Sequence, residues 1–247
     1  MVDQGIRVLC LDIDGTLYPK RMLNFRMLRS SFPSLRLAMA FNWARAEYRR
    51  VQDTHPNLKP SREGLLDLQS RLVAGRLGRP LDEKNLQKTR DAIERQFYRA
   101  WERSFRSIKA YEGMKEALTE AKRHGLVIAV FSDFPLARKL ETLGISDLVD
   151  IAHSSEESGY LKPSSRAFSF LLERLAVPPA QVLFMGDSYS KDCQGAKRAG
   201  MYSCLITAKR KPVYPDADLV VGSWKEFASL VLWMHGGAVW DLNYYFL

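Results

Sequence analysis

With 247 residues, 46% of them hydrophobic, the chain is long and apolar enough to bury a full core, which excludes a disordered or low-complexity protein. Met1 to Gly5 lacks the basic start and apolar run of a signal peptide, and no uncharged stretch approaches the roughly 18 residues of a membrane span, so a soluble, cytoplasmic protein is expected. The net charge of +9 is uneven: residues 18–110 hold 21 Lys and Arg against 9 Asp and Glu, and the rest of the chain is slightly acidic.

In chain order, the first expected strand is Arg7 to Leu11, and it ends in two carboxylates, Asp12 and Asp14, followed by Gly15 and Thr16. The basic segment comes next. It shows helical periodicity and no strand pattern, beginning with Phe25, Leu28, Phe32 and Leu35, where Pro33 suits the first turn of a new helix. Further on, Ile93, Phe97, Trp101, Phe105 and Ile108 recur at spacings of four, four, four and three, while Arg95, Arg99, Arg103 and Arg106 keep the same rhythm on another face. After it, apolar runs alternate with helical stretches. Strands are expected at Leu126 to Phe131, Val149 to Ala152, Val182 to Met185, Tyr202 to Ile206 and Leu219 to Val221. Helices are expected at Met114 to His124, Pro135 to Leu143, Pro163 to Leu175, Asp192 to Ala199 and Trp224 to Trp233. Gly125, Gly144 and Gly200 fall where helix C-termini favour a left-handed residue.

Alternation of this kind predicts an α/β fold, a doubly wound parallel sheet with crossover helices, interrupted by an all-helical insertion. The core is assigned to residues 1–17 and 111–247 and the helical domain to residues 18–110. In such a sheet the ligand site lies beyond the C-terminal strand ends. Asp12, Asp14, Ser132, Asp133 and Asp187 all stand at those ends, and Lys162, just before the helix expected from Pro163, can face the same place. Two carboxylates near a third make sense if a divalent cation neutralises them, and hard oxygen ligands suit Mg²⁺. One member of the pair would then attack an electrophile while the other handles a proton.

With DIDGT at 12–16, Ser132 in FSD, Lys162 in GYLKP and GDSYSKD at 186–192, the sequence resembles the haloacid dehalogenase-like (HAD) phosphohydrolases. The resemblance covers residues 6 to 210 and implies a Rossmann-like core whose helical insertion caps the substrate. It implies Asp12 as nucleophile, forming an aspartyl-phosphate, and Asp14 as general acid and base. Ser132, Asp133 and Lys162 are placed at the substrate phosphate, and Mg²⁺ on the Asp12 carboxylate, the Asp14 backbone carbonyl and Asp187. Asp192 supports Lys162 or reaches the metal through water. Relatives that cleave carbon–halogen bonds lack the second aspartate, so Asp14 favours phosphoryl transfer. Asp133 departs from the Asn or Gly frequent after the second-motif hydroxyl, which leaves a substrate hydroxyl, the cap or solvent as what it faces, and Lys191 departs from the small or amide residues frequent before the second acid.

The implied substrate is a small phosphomonoester: a nucleotide, phosphoglycolate or a sugar phosphate. A phosphomutase would use the same motifs. The rival from another class is an inactive HAD-fold protein whose basic cap binds RNA or another acidic partner. For the cap arginines themselves, a solvated helix face is the plainest reading, with steering of an anionic substrate and nucleic-acid binding as alternatives. His55, His124, His153 and His235 show no ligand spacing. Cys10, Cys193 and Cys204 lack CxxC spacing and suit reduced thiols. The aromatic C-terminal stretch, with Trp233, Trp240 and the final NYYFL, reads either as packing along the core or as a dimer contact, leaving monomer and homodimer both open.

Overall fold

A computed structural model describes residues 5–22, 25, 34–55, 58–106, 108–136, 138–208 and 213–235, with residues 230–235 described by backbone alone. The expected helix starting through Leu28, Phe32 and Pro33, and the aromatics from Trp233 onward, lie outside the described residues or side chains.

Six strands form one sheet: β1 (Val8–Leu11), β2 (Val127–Ser132), β3 (Ile151–Ser154), β4 (Val182–Gly186), β5 (Tyr202–Ile206) and β6 (Leu219–Val221). Every pairing is parallel and the order is β3-β2-β1-β4-β5-β6. Period-two alternation sends Leu9 and Leu11 into one apolar cluster and Val8 and Cys10 into another on the opposite face, so β1 is covered on both sides. Because β1 lies between β2 and β4, the chain reverses its direction of travel across the sheet there, and the crevice at the C-terminal end of β1 is the natural ligand position.

Between β1 and β2 the described residues include α1 (Leu35–Val51), α2 (Arg62–Arg76), α3 (Glu83–Ile93), a π-helical turn at Glu94–Tyr98 and α4 (Arg99–Phe105). Ser34, Ser61 and Asp82 cap the first three by accepting from backbone N–H groups of the first turn. The π turn accounts for the four-residue spacing of the aromatic face. On an ordinary helix each step of four drifts by about 40°, and one wider turn brings Phe97 and Phe105 back to the same side. Both are buried in the cluster that also holds Leu9, Leu11 and Ile13, while Arg95, Arg99, Arg103 and Arg106 are exposed. The arginine face is therefore solvated and the aromatic stripe is core.

After β1 and the insertion, the α-helices among the described residues are α5 (Met114–Arg123), α6 (Lys139–Thr142), α7 (Ser165–Leu175), α8 (Gln194–Arg198), which continues a π turn at Tyr189–Cys193, and α9 (Trp224–His235). Two elements differ from expectation. The helix expected from Pro135 is only the short α6, because Phe134 is drawn under Arg45, 4.0 Å from its guanidinium carbon, and against Trp101. Strand β3 starts two residues late because Asp150 occupies the first position, its side chain accepting from Ile128 N–H at 2.8 Å and its own N–H donating to Ile128 O. Gly125, Gly144 and Gly200 all have positive φ, as their helix-ending positions require. Among the described residues no helix is long and apolar enough to cross a membrane.

Candidate active site

The loop after β1 is held by its own backbone: Asp12 N–H donates to Met185 O on β4 at 2.9 Å, and Thr16 and Leu17 both donate to Ile13 O. Gly15 takes φ +107°, and a Cβ there would lie 2.2 Å from Asp187 Oδ2. Only glycine lets the strand end turn this tightly against the acidic residue of β4's loop.

Lys162 is almost wholly buried, and its ammonium donates to Asp12 Oδ1 at 2.8 Å, to Asp192 Oδ1 at 2.7 Å and to Phe131 O at 3.2 Å. Thr16 Oγ1 donates to the other Asp12 oxygen at 3.2 Å, and Asp192 Oδ2 accepts from Ser188 N–H at 2.9 Å. Burial acts to strip the proton from Lys162, but Asp12 and Asp192 outweigh it and hold its pKa above the ordinary lysine value. Burial pushes the Asp12 carboxyl above the usual carboxylate range despite the pull of Lys162.

Asp187 completes the acidic side. One carboxylate oxygen each from Asp12, Asp187 and Asp192 lie within 4.8 Å of one another. Burial, with the repulsion of Asp12 added, raises the Asp187 pKa although Lys20 stands 3.7 Å away. Crowded carboxylates with raised proton affinity are the surroundings a hard divalent cation relieves, so these residues fit Mg²⁺. Asp192 accepts from Lys162 and Ser188 N–H, and Asp12 accepts from Lys162 and Thr16, so a cation would share these oxygens with the donors already on them.

The Asp14 carboxylate points elsewhere. It accepts from Lys139 Nζ at 2.8 and 3.0 Å, from the Tyr18 hydroxyl, and from Ser132 Oγ at 3.4 Å. Burial would raise its pKa, but the Lys139 ammonium and its hydrogen bonds prevail and the carboxyl sits below its ordinary value. Asp133 also turns away from the crevice: Oδ1 accepts from Ser155 Oγ at 2.9 Å and from Lys162 N–H at 3.0 Å, and Oδ2 accepts from Arg49 Nη2 at 2.7 Å. An anion whose two oxygens are already occupied by donors does not hold a phosphate; here it anchors the Lys162 peptide.

The structure thus brings Asp12, Lys162, Asp187 and Asp192 into one cluster, with Asp14 and Ser132 adjoining it. Lys139, Tyr18, Lys20, Arg45 and Arg49 were not legible as members. The one available signal was Lys139, a cation in an otherwise apolar helical phase with Leu136, Leu140 and Leu143.

Residues 6–200 match the haloacid dehalogenase-like hydrolase family. The chain belongs to this family. Among HAD relatives it is 37% identical over 106 residues, 42% of either chain, to the haloacid dehalogenase-like hydrolase domain-containing protein 3 of Bos taurus. It is 32% identical over 144 residues to a ribulose-1,5-bisphosphate 5-phosphatase of Halopiger xanaduensis, covering 53% of this chain and 60% of that one. The chain spans about half the length of the first curated HAD relatives it matches. Among solved HAD structures it resembles an L-2-haloacid dehalogenase of Xanthobacter autotrophicus, with a TM-score of 0.62 and 18% identity over 93% of this chain and 99% of that one, a likeness of fold.

Proposed function

We propose that this HAD hydrolase is a Mg²⁺-dependent phosphomonoesterase acting on a small phosphorylated metabolite through an aspartyl-phosphate. The observation that carries the reading is the Lys162 ammonium lying 2.8 Å from Asp12 and 2.7 Å from Asp192 across long stretches of sequence, with Asp187 alongside. The phosphatase among its relatives supports the reaction class. Asp14 separates this reading from carbon–halogen cleavage, whose leaving halide needs no proton donor.

Asp12, buried and oriented by Thr16 and Lys162, attacks phosphorus, and the bond to the ester oxygen breaks. Asp14 delivers its proton to the departing oxygen. It then takes a proton from the water that attacks the aspartyl-phosphate, which releases phosphate and restores Asp12. Lys139 and Tyr18 hold Asp14 ionised without ligand, the state that serves as base, and the negative charge of an arriving phosphoryl group raises its proton affinity for the donor step. Lys162 and Ser132 hold the phosphoryl oxygens, and Lys162 offsets charge developing in the transfer. Mg²⁺ on Asp12 and Asp187, with the Asp14 carbonyl, would add positive charge against the same oxygens. The helical insertion between β1 and β2 would shield the site from water.

The test is hydrolysis of p-nitrophenyl phosphate with Mg²⁺. Activity should appear, and it should vanish with EDTA and in Asp12→Asn. A protein without hydrolysis that binds RNA in a salt-sensitive manner would overturn the reading in favour of a non-catalytic basic lobe.

A further inference from the structure

Lys162 sits in a segment that supplies few of its own backbone hydrogen bonds; helix α1 supplies them. Tyr48 donates its hydroxyl to Gly159 O at 2.6 Å, and Gln52 both donates to Leu161 O at 3.0 Å and accepts from Leu161 N–H at 2.7 Å. Arg49 donates from Nε to Lys162 O at 3.0 Å and from Nη2 to Asp133 Oδ2 at 2.7 Å. Asp133 closes the circuit by accepting from Lys162 N–H at 3.0 Å. Both polar groups of the Lys162 residue backbone are therefore held by side chains, one from the helical insertion and one from the end of β2. The planar guanidinium fork is what allows one residue to hold both a carbonyl and a carboxylate.

We infer that Arg49 and Asp133 are positioning residues that set Lys162 against Asp12, so that the helical insertion helps assemble the phosphoryl site as well as cover it. The inference rests on the hydrolase reading above and goes beyond it. A lysine whose backbone lost one of these two holds would carry its ammonium away from the nucleophile. That displacement removes positive charge from the transfer step and weakens the hold on the phosphoryl oxygens, so kcat falls and KM rises.

The experiment compares the full chain with Arg49→Met, Asp133→Asn and the double variant, using p-nitrophenyl phosphate and Mg²⁺ well below every melting temperature. The Arg49→Met kcat should fall about tenfold to a hundredfold, the scale of an ångström of misplacement. The double variant should be no slower than the worse single, because both act on one residue. An unchanged kcat in folded Arg49→Met, or losses that multiply, overturns the proposal. A crystal structure of Arg49→Met reads the geometry without turnover: Lys162 Nζ displaced from Asp12 supports the inference, and Nζ retained at the present 2.8 Å refutes it. Should Arg49→Met fail to fold, Arg49→Lys takes its place in both measurements, since it keeps a positive charge for Asp133 but has one nitrogen where Arg49 uses two, Nε on Lys162 O and Nη2 on Asp133. A wild-type protein that hydrolyses nothing counts against the hydrolase reading alone, and the crystallographic outcome then decides the positioning.

Discussion

Asp133 shows how a single side chain changes meaning between sequence and fold. In sequence it is an acid beside a serine expected at the substrate phosphate, which is puzzling for an anionic substrate. In the structure it is the acceptor that ties β2 to α1 and to Lys162. Burial would raise its pKa, but Arg49, then Lys162, Lys191 and Arg45, outweigh that and hold the carboxyl well below the ordinary range. The sign follows directly. A depressed folded pKa stabilises the protein fully above the unfolded value near 3.9, and the contribution is lost as pH falls toward the folded value. Within that window the unfolded chain binds a proton that the native state does not, so stability drops by up to about 1.4 kcal/mol per pH unit from this group. Asp133→Asn should therefore be less stable than wild type at pH 7, by an amount that stays constant down to about pH 4 and shrinks below it in urea unfolding series; a difference unchanged from about pH 4 to about pH 2.5 would show that Asp133 is not the acid-sensitive tie. Asp12, Asp14 and Asp187 were legible because strand-end carboxylates are anomalous in the local pattern. Arg45 and Arg49 were not, because an arginine on a helix in a basic segment looks the same whether it meets water or a carboxylate more than 80 residues away.

At the scale of elements, strands were the most readable: continuous apolar runs closed by polar residues mark β2 and β4 wherever both faces are covered. The shortfalls are places where a side chain replaced backbone pairing, as Asp150 does at β3, or where tertiary packing took residues from a helix, as Phe134 does before α6. The π turn was hidden in plain view in the four-residue spacing. It brings Phe97 face to face with Phe41 of α1, with ring centroids 4.0 Å apart and planes 8° apart. Phe41 and Phe97 belong to the same buried cluster as Leu9 and Leu11 of β1, so the helical insertion and the sheet share one core on that face. Phe41→Ala should cost about 3–5 kcal/mol, the usual price of a buried phenyl. Since the core is shared, the loss should appear as a single shifted urea transition with an unchanged slope. A biphasic curve would show that the insertion unfolds by itself.

Across the whole molecule, three carboxylates meet within 4.8 Å at the end of the central strand, an arrangement that works against folding when no cation is bound. The raised pKa of Asp187, caused by burial and then by Asp12, is the signature of that cost. Its sign is opposite to that of Asp133: ionising Asp187 as pH rises toward neutrality destabilises the native state. Two effects should separate cleanly in thermal melts at pH 7. Asp187→Asn without metal should melt higher than wild type without metal, because one buried charge and its repulsion are gone. Wild type should gain about 2.7 kcal/mol at a Mg²⁺ concentration a hundred times its dissociation constant, equivalent to about 5–11 °C for a chain of this size. Asp187→Asn should lose most of that gain, since one of the three clustered carboxylates is gone. The crossing of the two proteins' melting temperatures as Mg²⁺ is added is the decisive readout. If wild type melts at the same temperature with and without Mg²⁺, the acidic cluster does not hold the ion in the free enzyme, and Mg²⁺ would have to arrive together with the phosphoryl group.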